Sequence, residues 1–141
     1  SPNVTTPRAP KTRPHWRQSE KDVGQKLGGG YTEQKSFIGG KEVPYGTKGS
    51  TRPDWYKAGQ SVEVKNYNVA DASARGRLVD NVSNQAVQRA KDLPNGTSQS
   101  LYIDVRGQNL SVKDANALAK SIASKSNGAI GTNNIHFLRG P

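Results

Sequence analysis

Three predicted helices, each followed by a glycine-containing stop, constrain the fold of this chain more than any other feature. Glycine, alone or beside proline or asparagine, ends a helix because it adopts backbone angles that other residues avoid. The third helix also opens with a short capping box formed by Ser111 and Asp114. The predicted helices and their stops are Trp16 to Leu27 before Gly28-Gly29-Gly30, about Ala74 to Asp92 before Leu93-Pro94-Asn95-Gly96, and a helix from Ser111 to Asn127-Gly128.

Strand-like stretches occupy the intervals between these helices. Residues 31 to 43 predict one or two strands interrupted at Gly39-Gly40, which suits a hairpin. Val62 to Tyr67 alternates apolar and polar residues as a strand does. Further strands are predicted over Ser100 to Arg106 and about Asn134 to Leu138. This order predicts a mixed α/β domain with one central sheet and helices packed against it.

The composition predicts a compact core and a polyanionic partner. Hydrophobic residues make up only 31% of the 141 residues, so much of the chain must be surface or loop. Lys and Arg number 21 against 11 acidic residues, which gives a formal net charge of +10. Nucleic acid is the first candidate partner, ahead of an acidic protein or an anionic membrane surface. The alternative is a basic domain whose charge only aids solubility.

The chain contains no cysteine and no methionine. Disulfides and thiolate metal sites are therefore excluded. The missing methionine leads us to expect a piece of a longer protein, or a processed product. No long apolar run predicts a membrane-spanning helix and no signal peptide stands at the start, so no stable membrane insertion is expected.

The first stretch of the chain is rich in proline and basic residues. Pro2, Pro7, Pro10 and Pro14 lie among threonine, lysine and arginine. That composition predicts an extended linker over residues 1 to 15, followed by one domain over residues 16 to 141.

Asp54 and the triplet Glu63-Val64-Lys65 form the strongest chemical motif of the chain. In a strand, Glu63 and Lys65 share one face and the neighbouring valines share the other. Mg²⁺ prefers carboxylate oxygens, and a bound cation lowers the pKa of its water and offsets charge on a phosphate. A nearby lysine can orient that water, so the motif favours a metal-dependent phosphodiesterase. The alternative is a half-exposed strand whose Glu and Lys are solvated or paired across strands.

The second predicted helix turns polar side chains toward its apolar face. At roughly 100° per residue, Arg89 falls inside the apolar arc and Gln85 lies at its edge. Burying such groups is costly unless they are used, which favours an active-site role with Arg89 meeting a phosphate. Arg89 extending along the rim of the arc toward water is the alternative. The arc consists of Leu78, Val79, Val82, Ala86 and Leu93.

Histidines and aromatics give weaker signals. His15 and His136 are the only histidines, and a metal-free ribonuclease could use such a pair as general acid and base. We expect both to be structural or adjacent to substrate. Trp16, Trp55 and Tyr56 could stack on bases, although at least one tryptophan is expected in the core.

The chain resembles the PD-(D/E)xK nuclease superfamily, which includes restriction endonucleases and Holliday-junction resolvases. It is especially similar to nuclease domains at the C-terminal ends of bacterial polymorphic and contact-dependent inhibition toxins. The resemblance lies in the Gly-Ser-Thr-Arg-Pro-Asp run with Val-Glu-Val-Lys-Asn-Tyr, in the preceding Glu-bearing helix, in Gln85-x-x-x-Arg89 and in the stretch from Tyr102 to Gln108. It covers about residues 16 to 138. It implies a restriction-endonuclease-like central mixed sheet flanked by helices, with an α-β-β-β-α-β core and an added helix and strand.

The resemblance also implies roles for individual residues. Asp54 and Glu63 would ligate a divalent metal, with the Val64 carbonyl as a further ligand, and Lys65 would serve the attacking water. Glu20 on the first helix would complete the catalytic and metal-binding set, and Glu33 is its rival. The cofactor would be Mg²⁺, with Mn²⁺ or Zn²⁺ as alternatives.

The resemblance extends to the substrate and to partners. Gln85 would take part in the catalytic site, and Arg89 and Arg52 would hold the substrate. The expected function is a toxin domain that hydrolyses phosphodiester bonds of DNA in a target bacterium. It would be secreted as part of a larger effector, act in the target cytoplasm and meet a cognate, acidic immunity protein. Cleavage of tRNA or another RNA is the alternative within the same fold. A non-catalytic basic nucleic-acid-binding module is the alternative from another class.

Overall fold

Four strands follow one another between the first two helices in the computed structural model, which describes residues 3–5 and 12–140. A short 3₁₀ turn, Thr132–Asn134, precedes the last strand. The elements in chain order are β1 (Asn3–Thr5), α1 (Trp16–Leu27), β2 (Ser36–Ile38), β3 (Lys41–Val43), β4 (Trp55–Lys57), β5 (Gln60–Lys65), α2 (Ala72–Asp92), β6 (Ser98–Asp104), α3 (Val112–Lys125) and β7 (Ile135–Arg139).

A five-stranded mixed sheet lies at the centre, in the order β1-β7-β6-β5-β4. β4 pairs antiparallel with β5, and the other neighbours are parallel. β2 and β3 form a separate hairpin, turned at Gly39 and Gly40, whose φ angles of 56° and 85° suit glycine. The predicted mixed α/β class, with helices against a central sheet, is confirmed. The finer restriction-endonuclease-like topology stays a prediction.

Helices cover both faces of this sheet. α2 and α3 pack with β6 and β7 around Leu101, Ile103 and Phe137, all fully buried. On the opposite face, Val23 of α1 packs against Val62 and Val64 of β5. The alternation along β5 therefore places its valines toward α1 and Glu63 toward α2, where Glu63 lines a crevice with Arg89.

Most element boundaries follow the sequence pattern, and two strands end earlier than predicted. β6 stops at Asp104 and not at Arg106, because the Asp104 side chain accepts the Arg106 backbone N–H at 3.0 Å. β5 stops at Lys65, and the side chain of Asn66 turns back to donate to the Pro14 carbonyl at 2.7 Å. In both places a side chain forms a hydrogen bond at the end of the strand, a feature that strand patterns do not reveal.

Helix ends are closed by their own capping residues. α2 begins at Ala72, slightly ahead of the predicted start, because the Asp71 carboxylate accepts the Ala74 N–H at 2.7 Å. The Ser111 hydroxyl caps α3 through the Asp114 N–H, as the capping box predicts. None of the described helices is both long enough and apolar enough to cross a membrane.

Part of the predicted linker lies against the domain. Residues 3–5 form β1, whose backbone pairs parallel with β7 from Asn3 beside Phe137 to Thr5 beside Arg139. This segment contains no proline, so its N–H groups can join the ladder and cover the edge of β7. Residues 1–2 and 6–11 of the predicted linker lie outside the described residues. The domain boundary at residue 16 stays a prediction.

Candidate functional site

Asp54 is fixed beside the Glu63-Val64-Lys65 triplet by the end of the β4–β5 ladder. The ladder pairs Trp55 with Val62 and stops there. Beyond it, the Val64 backbone N–H donates to the Asp54 carboxylate at 2.8 Å. Pro53, whose side chain is fully buried, anchors the chain just before Asp54. The carboxyl group of Asp54 thus takes the hydrogen bond that another strand residue would otherwise accept.

Glu63 lies between two cationic side chains. Lys65 Nζ lies 3.3 Å from Glu63 Oε2, and Arg89 Nη1 lies 2.9 Å from Glu63 Oε1. All three side chains are largely buried, with 12%, 17% and 13% of Glu63, Lys65 and Arg89 exposed. The Arg89 contact is an ion pair without hydrogen-bond alignment, so Glu63 Oε1 has no hydrogen-bond partner among the described residues. A buried, charged oxygen is therefore left with unused acceptor capacity.

The buried carboxyl groups of Asp54 and Glu63 titrate as a coupled pair. Burial, the charge of Glu63, and hydrogen bonding with Glu63 and Glu20 raise the pKa of Asp54 to about 9. Burial acts to raise the pKa of Glu63 as well. The charge of Arg89, the hydrogen bond from Asp54 and the charge of Lys65 outweigh burial and lower this pKa. At neutral pH and without a cation, Asp54 is thus the acid and Glu63 the carboxylate of a coupled pair.

Glu20 reaches this pair from α1, which Trp55 holds in place. The Trp55 indole N–H donates to the Glu20 backbone carbonyl at 2.9 Å. Gly24, one turn later, lies under the indole, where a Cβ would be 2.3 Å from the ring carbon Cζ2. The Glu20 carboxyl group hydrogen-bonds with Asp54, whereas Glu33 is exposed on the same pocket. Of the two rivals for the third carboxyl position, Glu20 is the one in contact with Asp54.

The remaining predicted residues lie at the rim. Arg89 turns toward the sheet, as the helical pattern predicts, whereas Gln85 is exposed and lines a small crevice with Glu63 and Arg89. Arg52 is exposed on a separate open pocket that also contains Asp54 and Glu20. The structure therefore brings Glu20, Asp54, Glu63, Lys65 and Arg89 together, and it leaves Gln85 and Arg52 on the edges of that group.

The carboxyl groups of Glu20, Asp54 and Glu63 lie close together, but they do not form a complete set of metal ligands. Asp54 touches both Glu63 and Glu20. Within residues 3–5 and 12–140, however, no group of three or more His, Cys, Asp or Glu side chains is arranged to hold a metal ion. Any cation here would depend on the Asp54–Glu63 pair for its side-chain ligands and complete its shell with backbone oxygen or water, as Mg²⁺ commonly does.

A second buried cluster, which the sequence pattern did not reveal, supports the first. Asp104 accepts from the Ser19 hydroxyl at 2.7 Å and from Arg106 Nη2 at 2.6 Å. Asn66 donates to the same Ser19 hydroxyl at 2.9 Å. Ser19 precedes Glu20 and Asn66 follows Lys65, so this cluster fixes α1 relative to the end of β5. Only the resemblance of the stretch from Tyr102 to Gln108 pointed to Asp104 and Arg106, and no local pattern pointed to Ser19.

The two histidines lie apart from the carboxyl pair. His15 caps α1, with Nδ1 accepting the Arg17 backbone N–H at 3.2 Å. His136 is half-buried against Tyr102, with ring centroids 4.7 Å apart, and burial lowers its pKa. Neither lines the pockets that contain Asp54 or Glu63.

The aromatic residues divide as the sequence suggested. Trp55 packs between α1 and β5, and Tyr56 lies against Phe37 with ring centroids 4.6 Å apart. Trp16 is 51% exposed.

Comparison with protein-family models, with curated proteins and with solved structures returns no match for this chain.

Proposed function

We propose that this chain is a metal-dependent nuclease domain of the PD-(D/E)xK type. The observation that carries the proposal is the buried Asp54–Glu63 carboxyl pair beside Lys65 and Arg89. Two acidic side chains that must share a proton in the absence of a cation, next to two fixed positive charges, match the needs of phosphodiester hydrolysis.

The residues of the pair fit a hard divalent cation. Asp54 holds its proton only because burial and Glu63 disfavour its ionised form, and a cation would remove that penalty. Glu63 Oε1 is buried, and its contact with Arg89 Nη1 at 2.9 Å is not an aligned hydrogen bond, so this oxygen keeps acceptor capacity for a cation. Asp54, Glu63 and the Val64 carbonyl would hold Mg²⁺, or alternatively Mn²⁺ or Zn²⁺. When bound, such an ion acidifies a coordinated water and offsets charge on the phosphate.

The protein's own side chains supply the rest of the chemistry. Lys65, on the same strand face as Glu63, would orient the attacking water. Arg89 would present its planar guanidinium to a phosphate oxygen, a contact that Lys could not make in the same bidentate form. Glu20 would hold Asp54 in position, and Gln85 and Arg52 would contact substrate from the rim.

The charge of the chain supports nucleic acid as the substrate. A formal net charge of +10 favours binding to a phosphate backbone. With the toxin resemblance, it supports a secreted effector domain that cuts DNA in the cytoplasm of a target bacterium and is blocked by an acidic immunity protein. Cleavage of tRNA or another RNA by the same site is the alternative.

The experiment that tests this proposal is incubation of the purified chain with plasmid DNA and with total RNA, in Mg²⁺, Mn²⁺ or Zn²⁺ and in EDTA. We expect cleavage with metal and none in EDTA. Glu63→Ala and Lys65→Ala should abolish cleavage, whereas Lys125→Ala, a control whose side chain is 62% exposed in a surface ion pair, should not. Cleavage that persists in EDTA would overturn the metal mechanism, and full activity in Lys65→Ala would overturn the site.

A non-catalytic nucleic-acid-binding module is the second candidate. It is favoured by the fact that both oxygens of Glu63 already have cationic neighbours. This candidate predicts salt-dependent binding to nucleic acid, with no turnover in any metal.

A further inference from the structure

Two exposed aromatic side chains line the open pocket beside Asp54. Trp16 and Tyr45 are 51% and 59% exposed. Ile38 and Val112, the other large hydrophobic side chains exposed in the described part of the chain, do not line this pocket. A pocket of about 390 Å³ therefore carries two aromatic rings with unused surface, next to the proposed catalytic carboxyl group.

Both aromatic residues are placed by local structure and not by core packing. Trp16 is the first residue of α1, and the Arg17 guanidinium lies 4.9 Å from its ring centroid. Tyr45 lies in a turn closed by the Thr47 N–H, which donates to the Pro44 carbonyl at 3.1 Å. The backbone at both residues is thus ordered before any ligand binds, which lowers the cost of ordering them on a partner.

The charges of this pocket suit a base better than a phosphate. Glu20 and Glu33 outnumber the one cationic lining residue, Arg52, and Asp54 is a neutral acid in the absence of a cation. Carboxylate and amide oxygens accept hydrogen bonds from the amino groups of nucleobases, whereas they repel phosphate. Phosphate-binding charge lies instead with Arg89 and Lys65, on the other side of the carboxyl pair.

We propose that this pocket binds an unpaired nucleobase, stacked on Trp16 and Tyr45, so that the site acts on single-stranded or locally unpaired nucleic acid. The inference rests on the proposed nuclease function of the same site. A base held inside a continuous duplex cannot present its face to aromatic side chains, whereas a looped-out or single-stranded base can. Asp54 lines the pocket and contacts Glu63, so the bound base would lie next to the reacting phosphate.

Binding in EDTA tests the base pocket independently of cleavage. The probes are fluorescently labelled duplexes with one bulged nucleotide, the same duplexes with an abasic residue at the bulge, and blunt duplexes, each made as DNA and as RNA. The abasic probe keeps every phosphate and removes only the base. Stacking contributes about 1–3 kcal/mol per base, so we expect the bulged probe to bind about 5- to 150-fold more tightly than the abasic probe.

Variants then assign that preference to the two rings. Trp16→Ala combined with Tyr45→Ala should bring the bulged and abasic probes to equal Kd, and Tyr45→Phe should keep the preference because it keeps the ring. Val112→Ala, which removes an equally exposed apolar side chain outside the pocket, should change nothing. Circular dichroism and a thermal melt confirm that each variant is folded.

The outcomes separate this inference from the nuclease proposal. Equal Kd for bulged and abasic probes in the unmodified protein, or a preference that survives in the double variant, overturns the base pocket even if the protein cuts nucleic acid with Mg²⁺. A preference that depends on the base and on both rings supports the pocket even if no cleavage occurs in any metal.

Discussion

Two buried carboxylate clusters in this protein are built from the same residue types and satisfied very differently. In the Asp104 cluster, Arg106 Nε donates to Oδ1 at 2.9 Å, Arg106 Nη2 and the Ser19 hydroxyl both donate to Oδ2, and Arg106 also pairs with Asp22 at 2.9 Å. Hydrogen bonding to Asp104 raises the pKa of Arg106. Both carboxylate oxygens of Asp104 therefore have hydrogen-bond donors within this cluster.

The Asp54–Glu63 cluster lacks such a full set of donors. Two carboxyl groups are buried together, the pKa of Asp54 is raised to about 9, and Glu63 Oε1 has no aligned donor among the described residues. A protein keeps a buried arrangement of this kind where it serves a function and compensates for it elsewhere. The Asp104 cluster thus has its buried carboxylate matched by donors, whereas the Asp54 cluster keeps an unmatched oxygen, which the proposed function assigns to a ligand. Four substitutions test that distinction, taken from the largest expected effect to the smallest.

Removal of Asp104 should have the largest effect, and it should act on stability. Asp104→Ala leaves Arg106, which is 5% exposed, with only Asp22 as a charge partner. Breaking a buried ion pair costs about 3–5 kcal/mol, to be measured by urea unfolding. As a control, Asp104→Ala with Arg106→Met removes both charges and should recover part of the loss. A loss below about 1 kcal/mol in Asp104→Ala would contradict the supporting role.

Removal of Lys65 should act mainly on activity and less on stability. Lys65→Ala should lower the cleavage rate at least about 100-fold, a change typical of a lost acid–base or water-orienting group. Its free energy of unfolding should fall by less than that of Asp104→Ala, because Arg89 remains 2.9 Å from Glu63. Rates are measured in single-turnover digests and stability in the same urea titration. A variant that loses activity only in proportion to its unfolded fraction would assign Lys65 a structural role.

Asp54→Asn should stabilise the metal-free protein at neutral and alkaline pH. The pKa of Asp54 is about 9 in the folded protein against 3.8 for an ordinary Asp, so the folded state binds the extra proton and stability falls as pH rises from about 4 to about 9. An amide keeps the acceptor for the Val64 N–H and has no proton to lose. One pKa unit corresponds to about 1.4 kcal/mol, so a gain above about 1 kcal/mol is expected at pH 8.

Thermal melts in EDTA between pH 4 and 9 measure that gain. The variant and the unmodified protein should be equally stable near pH 4 and diverge as pH rises. Addition of Mg²⁺ should narrow the gap, because only the ionised carboxylate of Asp54 would bind it. A gap that is constant across this pH range would contradict the raised pKa of Asp54.

The surface pair of Asp80 and Lys125 should give the smallest effect. Its atoms are only 2.6 Å apart, yet the two side chains are 58% and 62% exposed. Exposed pairs contribute about 0–1 kcal/mol, so Lys125→Ala should change the urea midpoint little and leave cleavage unchanged. A loss as large as that of Asp104→Ala would show that burial does not set how much an ion pair contributes to the stability of this protein.

Local patterns predicted most of the elements and the chemistry of the motif. The span of α1 and the hairpin at Gly39-Gly40 follow from glycine placement, and the facing of Glu63 and Lys65 follows from alternation in β5. Arg89 was placed toward the sheet because it falls inside an apolar arc, and it does meet Glu63. These features depend on residues close in sequence, where spacing decides which side chains share a face.

Contacts between distant segments could not be predicted in this way. The choice between Glu20 and Glu33 depended on Trp55 holding α1 across Gly24. The ends of β5 and β6 coincide with side-chain hydrogen bonds of Asn66 to Pro14 and of Asp104 to the Arg106 N–H, which join residues that strand patterns do not connect. The pairing of residues 3–5 with β7 required an uncovered sheet edge, which no local composition reveals.

Sequence patterns are enough to predict most helices and strands, the basic charge, and a motif of two carboxyl groups and a lysine on one short segment. Tertiary packing raises the pKa of Asp54 beside Glu63, brings Arg89 to 2.9 Å from Glu63, and lines one pocket beside them with Trp16 and Tyr45. Helix and strand propensities and hydrophobic periodicity act over only a few residues, so they cannot predict contacts between distant segments. Burial, which turns these charges into a coupled site, arises only when α1, α2 and β4 close around β5.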